Sequence, residues 1–334
     1  MLNQGDGLNE GASGIFVIAK RYEPTQGNIR SLRFANARTA WVTAYDHLLV
    51  TSDAGHTWQN RYPSGLDEQY LAPRLVHPVD SKNCWLLSTY VDKDVRCFQS
   101  SDSGRSWTER GRFFSEKYNI VGEDLLFANA NKGWVLFSAS SGGTRFYSTL
   151  YRTDDGGKHW SRVPLSASGR AQKIIFADSC RGWIAEVQFN KPRTQYRTII
   201  HSTLDGGGTW RRISSLDGGV RDLYAASTGE LFACGRKGML ATSPDSGKTW
   251  TILGSHTHMT LDCIHFRGSV GITVGTADSI RSKRSVVFLI TRDGGRTWDR
   301  MASPIRASII GIHLTAWDRG VMATAEALYQ FRLR

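Results

Sequence analysis

TLDGGGTW, residues 203–210, runs hydroxyl, any residue, Asp, any residue, Gly, any two residues, Trp. The frame recurs as TSDAGHTW from Thr51, SSDSGRSW from Ser100, TDDGGKHW from Thr153, SPDSGKTW from Ser243 and TRDGGRTW from Thr291. Six copies in one chain mark a repeat architecture, to be understood before any single motif. The box aspartates Asp53, Asp102, Asp155, Asp205, Asp245 and Asp293 stand 49, 53, 50, 40 and 48 residues apart.

Around each box the same order of segments returns. An alternating apolar run comes first, such as IRSLRFAN or AQKIIFAD, and a second follows, often opened by a tryptophan as at Trp41, Trp85, Trp134 and Trp183. A third run, such as HLLVTS or VVFLIT, leads into the box, and the box tryptophan opens a fourth. Four short strands per unit of this length predict a propeller blade. The box then falls in the hairpin between third and fourth strands. There the carboxylate can accept turn N–H groups, the glycine suits a positive φ, and the indole supplies an apolar plate. These assignments make the box structural, not catalytic.

Six boxes predict six blades, from about residue 29 to about 302. Beyond them ASIIGIHLTAWDRGVMATAEALYQF reads as three strands without a box, and GIFVIAKRY, residues 14–22, as one strand ahead of the first blade. Together they predict a seventh blade completed by the N-terminus, which removes an open sheet edge. The expected fold is all-β: one seven-bladed propeller domain over 1–334, with 1–14 a flexible tail.

The box is identified as the Asp-box (BNR) repeat, and KGWVLFS, RGWIAEV, TLDGGGTW and TRDGGRTW resemble the Ycf48-like family of photosystem II assembly factors. The resemblance implies a non-enzymatic, seven-bladed scaffold that binds proteins through a basic patch on one face. The photosynthetic role does not transfer with the fold. Two departures stand out: LFACG around Phe232 and GITVG around Thr273, where a tryptophan is usual.

Enzymatic motifs are missing. The chain has no GxSxG and no HExxH; SGKTW lacks the leading P-loop glycine, and the DDGG strings lack the ligand spacing of a calcium loop. A sialidase would need an arginine triad and an Arg-Ile-Pro signature. Arg30, Arg33 and Arg38 precede the first box without that signature and are expected at strand edges or on the surface. Glu123, Asp124 and Asp262 fall on or near inner strands, unpaired by sequence alone. His256, His258, Cys263 and His265 form the one metal-like cluster, although a loop pair plus core residues is the expected outcome. The five cysteines contain no CxxC and are expected as buried thiols, with a Cys84–Cys97 bridge as the minority option. No cofactor or metal is implied.

The net charge of +12 favours an acidic partner. Second-to-third-strand connections concentrate the base: Lys93, Arg96, Arg145, Lys191, Arg193, Arg197, Arg236, Lys237, Arg281, Lys283 and Arg284, against Asp46, Asp92, Asp94 and Asp278. Long loops on a rigid scaffold are where binding tends to reside. The expected partner surface is therefore Arg145, Lys191, Arg193, Arg197, Arg236, Lys237, Arg281, Lys283 and Arg284, meeting an acidic protein or membrane-protein segment. Nucleic acid ranks below, since stacking candidates are few (Phe146, Tyr147, Phe189, Tyr196). The expectation is a monomeric scaffold of assembly-factor or chaperone type; a protein capping a partner enzyme and a sialidase-like hydrolase are the alternatives. No apolar run reaches the ~18 residues of a membrane helix. The polar start is unlike a signal peptide, and a periplasmic or exported location is favoured if a signal has been removed.

Overall fold

A computed structural model describes residues 3–5, 16–23, 29–45, 47–62, 72–89, 94–115, 119–140, 146–190, 194–276, 285–303 and 305–333. Seven antiparallel sheets follow one another along the chain, each a meander in sequence order except where the N-terminus joins the last. Blade four is representative, with strands Arg170–Phe176, Gly182–Phe189, Tyr196–Thr203 and Arg211–Asp217. The first strands of the blades are Ser31–Phe34, Ala72–Pro78, Ile120–Phe127, Arg170–Phe176, Val220–Ala225, Thr260–Arg267 and Ile309–Ala316. Each touches the next, and the last touches the first, closing a ring about a central channel.

Closure follows the sequence pattern. Ile309–Ala316, Arg319–Thr324 and Leu328–Leu333 form three strands of blade seven, and Phe16–Glu23 pairs antiparallel with Leu328–Leu333 as the fourth. Within the stretch expected as a flexible tail, Asn3–Gly5 adds a fifth strand against Arg21–Glu23. The remainder of 1–14 lies outside the described residues.

Each box is a closed hydrogen-bond ring. In blade four the Thr203 hydroxyl donates to Asp205 Oδ1 at 2.7 Å and accepts the Gly207 N–H at 2.8 Å. Asp205 Oδ1 accepts the N–H groups of Gly208 and Thr209 at 2.9 and 3.0 Å, and Oδ2 accepts the Thr209 hydroxyl at 2.8 Å. These donors hold the carboxyl below the usual aspartate range; the Thr209 N–H contributes most. The same arrangement holds Asp102 and Asp245 at about 2.

The box also fastens one blade to the one before it. A Cβ on Gly207 would overlap the indole of Trp134, a second-strand residue of blade three, and one on Gly104 would lie 2.7 Å from Trp41 of blade one. Trp85 Nε1 donates to Gly156 O at 3.3 Å and Trp183 Nε1 to Ser246 O at 2.8 Å, each in the following blade's box. Phe232 seats Gly295 of blade six, and Val321 of blade seven lies against Gly55 of blade one. Both departures now have a physical reason. Phe232 fills the same seat with a smaller ring, whereas in blade six the register places Ile272, the residue before Thr273, at the tryptophan position, where it packs against a seventh blade in which the sequence places no box.

Candidate functional site

In an antiparallel meander, first-to-second and third-to-fourth connections leave at one end of the sheet. The boxes therefore share one face of the ring, and the second-to-third connections and inter-blade links share the opposite, loop face. Six inner strands bulge near that loop face, between Pro73 and Leu75, Gly122 and Asp124, Ala171 and Lys173, Val220 and Asp222, Leu261 and Cys263, and Ile309 and Gly311. A bulge inserts one residue and re-aims the side chains around it. The inserted residues are Arg74, Glu123, Gln172, Arg221, Asp262 and Ile310. Five of the six are polar, so the bulges place charge around the mouth of the channel.

These charges are largely paired. Arg170 forks onto Glu123 at 2.7 and 2.9 Å, and the Ser138 hydroxyl also donates to Glu123. Arg33 Nη2 donates to buried Asp124 at 3.2 Å, and Lys173 Nζ stands 3.8 Å from Asp124 and 2.9 Å from Asp222. The carboxylates brace neighbouring blades too: Asp124 accepts the Ile174 N–H at 3.2 Å, and Asp222 the Ile264 N–H at 3.0 Å. Arg221 lies 3.5 Å from Asp262, which also accepts the Thr276 hydroxyl at 3.0 Å. Arg33, expected at a strand edge or on the surface, lies in the first strand of blade one and lines the channel. Burial opposes its charge, but Asp124 and Asp222 overcome that penalty and hold its pKa above the usual arginine value.

Deeper in the channel the wall carries His77, His265 and His313. His265 lies 4.0 Å from His313, which stacks 4.1 Å from Phe34, and His77 Nε2 is 3.0 Å from Phe127 O. Burial pulls His77 and His265 down to about 4 and His313 further, so all three are neutral at pH 7. The His-x-His pair does not share a strand with His265: His256 and His258 lie in the link between blades five and six, His256 with φ 49°. Among the described residues no group of three or more His, Cys, Asp or Glu gathers to hold a metal. All five cysteines are free, Cys84 and Cys97 buried as expected and Cys180 exposed.

Of the nine residues expected to form the partner surface, Arg197, Arg236 and Lys237 are described and stand together. They line a groove of about 860 Å³ between blades four and five on the loop face, with Gln188, Phe189, Tyr196, Asp217 and Met239. The Arg236 guanidinium sits 4.9 Å over the Tyr196 ring, Arg197 is tethered to Ser215 Oγ at 2.8 Å, and Lys237 Nζ donates to Thr194 O at 3.0 Å. Gly218, at φ 119°, and Gly219 form a floor where added side chains would strike Met239, Arg236 and Tyr196. Arg145, Lys191, Arg193, Arg281, Lys283 and Arg284 lie outside the described residues, as do Lys93, Asp46, Asp92 and Asp278. Asp94, counted among the loop acids, is buried and paired with Arg112.

Aromatic rings extend the groove. Phe146 of blade three meets Phe189 of blade four at 5.5 Å, and Phe189 meets Tyr196 at 6.1 Å. Tyr45 (62% exposed), Phe114 (65%) and Tyr147 (45%) also stand on the loop face. Tyr45 and Phe114 escape the sequence pattern because a lone aromatic at a loop edge looks like any strand end.

A sortilin–Vps10 family model (sortilin, neurotensin receptor 3) matches residues 46–198. A xyloglucanase from a Paenibacillus species is 23% identical, the match covering 64% of this chain and 24% of that protein, so the chain spans about a quarter of that relative's length. Among solved structures, YCF48 bound to D1 peptide superposes with a TM-score of 0.68 at 16% identity, covering 96% of this chain and 98% of that one. YCF48 from Cyanidioschyzon merolae matches with the same score and identity, covering 96% and 99%. A GH74 xyloglucanase from Xanthomonas campestris also scores 0.68, at 12% identity, covering 95% of this chain and 53% of the enzyme. The chain thus has the single-propeller fold of YCF48, a fold it also shares with part of a glycanase.

Proposed function

We propose that this chain is a non-enzymatic scaffold of assembly-factor type that docks an acidic segment of a partner protein, or of a membrane protein's exposed part, on its loop face. The groove between blades four and five carries the proposal. Three cations stand there over a glycine floor and beside aromatic rings, which suits an extended chain presenting carboxylates and apolar side chains. The likeness to a YCF48 structure holding a peptide agrees with it.

The acids speak against hydrolysis. Glycoside cleavage needs two carboxyl groups facing each other across the sugar, roughly 5–9.5 Å apart, with one free to donate a proton. Glu123 is forked by Arg170, and Asp262 is held by Arg221 and Thr276. The arginines therefore engage the very oxygens that would have to face a sugar.

The test is capture of the native partner by the protein and by a variant with Arg197, Arg236 and Lys237 all changed to Glu. Capture should weaken steeply as the Debye length falls from ~10 Å at 0.1 M salt to ~3 Å at 1 M, and the folded triple variant should lose it. Undiminished capture by that variant at low salt refutes the groove as the docking site.

A further inference from the structure

Three arginines from three blades converge on consecutive residues of one inner strand. Arg74 Nε donates to Gly122 O at 3.1 Å, Arg170 forks onto Glu123, and Arg33 reaches Asp124. The charges do not balance. Among the described residues Glu123 answers Arg170, Asp124 answers Arg33, Asp222 answers Lys173 and Asp262 answers Arg221, which leaves Arg74 over. Among the described residues no carboxylate lies within 4.0 Å of Arg74.

A second cation is fastened beside it. The Arg30 N–H donates to Thr43 O at 2.7 Å and the Thr43 hydroxyl donates to Arg74 O at 3.1 Å, so one threonine ties both backbones. The Arg30 guanidinium lies 5.4 Å from the Tyr45 ring. Burial depresses the Arg74 pKa, and repulsion from Arg30 and Arg170 adds to it against the pull of Glu123. An arginine cannot relieve such crowding by losing its proton at neutral pH. The remaining relief is an anion, and with Nε committed to Gly122 the two terminal nitrogens of Arg74 are left to form the fork that matches two oxygens.

We propose that Arg74 is the principal ligand of an oxyanion site at the loop-face mouth of the channel, supported by Arg30 and Arg170. The ligand class is a carboxylate or phosphate, either free in solution or carried by the docked segment. Only the second source rests on the docking function proposed above.

The test uses the full chain and three probes at constant ionic strength: inorganic phosphate, acetate and a hexaglutamate peptide. Phosphate or acetate should raise the melting temperature saturably, as a ligand that binds only the folded state does. Arg74→Gln should weaken that response roughly tenfold or more, as loss of a charge-assisted fork implies. Arg236→Gln, in the groove, should leave it unchanged. Hexaglutamate that competes with phosphate in the wild type assigns the site to a docked acidic chain; phosphate binding without competition assigns it to free anions. Should Arg74→Gln not fold, Arg30→Gln makes the same comparison, since its guanidinium packs on an exposed ring. Equal responses of wild type and variant to phosphate and to acetate overturn the site. That result would leave the groove test standing, and failure of the groove variant to lose partner capture would leave this one standing.

Discussion

Gly294 and Gly295 are neighbours in the blade-six box, and both hold a left-handed backbone, at φ 75° and 92°. They differ in what surrounds them. An added Cβ at Gly294 meets nothing within 4 Å, whereas at Gly295 it would overlap the ring of Phe232 in blade five. Gly294→Ala should therefore cost only the strain of an L-residue in that conformation, about 1–2 kcal/mol. Gly295→Ala should add overpacking of about 1–3 kcal/mol at the seat. Urea unfolding of each variant measures the difference directly, provided the slope is unchanged. Because the extra cost is a contact with Phe232, it should vanish when both glycine variants are made in a Phe232→Ala background, leaving a coupling of the same size in the double-mutant cycle. If the two variants cost the same, or the cycle shows no coupling, the box is only a turn and does not fasten blade to blade.

Thr203→Val should cost about 1–3 kcal/mol, because the buried Gly207 N–H loses its acceptor, while Thr203→Ser should recover most of it; equal losses in urea unfolding would show that the methyl group matters instead. Lys173→Met leaves Asp222 without its cation at a partly buried site and should cost about 3–5 kcal/mol; a stability change below 1 kcal/mol would mean that channel water satisfies the acid. Acid sensitivity should appear in two windows. Folded His77 and His265 sit near 4 against an ordinary 6.5, so the unfolded chain takes up their protons first and stability falls as pH drops from 6.5 towards 4. The depressed carboxyls of Asp102 and Asp245, at about 2, keep their contribution down to roughly pH 4 and lose it between there and pH 2. His77→Gln should flatten the upper window of a urea-midpoint profile and leave the lower one; an unaltered upper slope would refute the assignment.

The fold was legible because its signal is local. Thr203, Asp205, Gly207 and Thr209 satisfy one another within seven residues, so the frame survives in the sequence wherever the hairpin does. The channel was half legible. Adjacent polar pairs, Glu123–Asp124, Gln172–Lys173 and Arg221–Asp222, interrupt the apolar alternation where the strands bulge, and such an interruption can be read in advance. Their partners cannot, since Arg33 and Asp124 are 91 residues apart and Arg170 and Glu123 are 47 apart, brought together only by the packing of blades around the channel. The same limit explains why Arg33 reads as a strand-edge or surface residue: one arginine in a short strand shows no sign of the carboxylate two blades away. Conversely, an odd residue in one blade can report on its neighbour. Ile272 looks like a defect of blade six while blades are read singly, yet it is consistent with blade seven, against which it packs and where the sequence carries no box glycine that would need an aromatic seat. In a closed ring each blade's sequence is thus partly a record of the next one. The surplus cation Arg74 belongs to the same class of feature, because a charge left over among the described residues is recognisable only after the described carboxylates around the channel have been assigned to other cations.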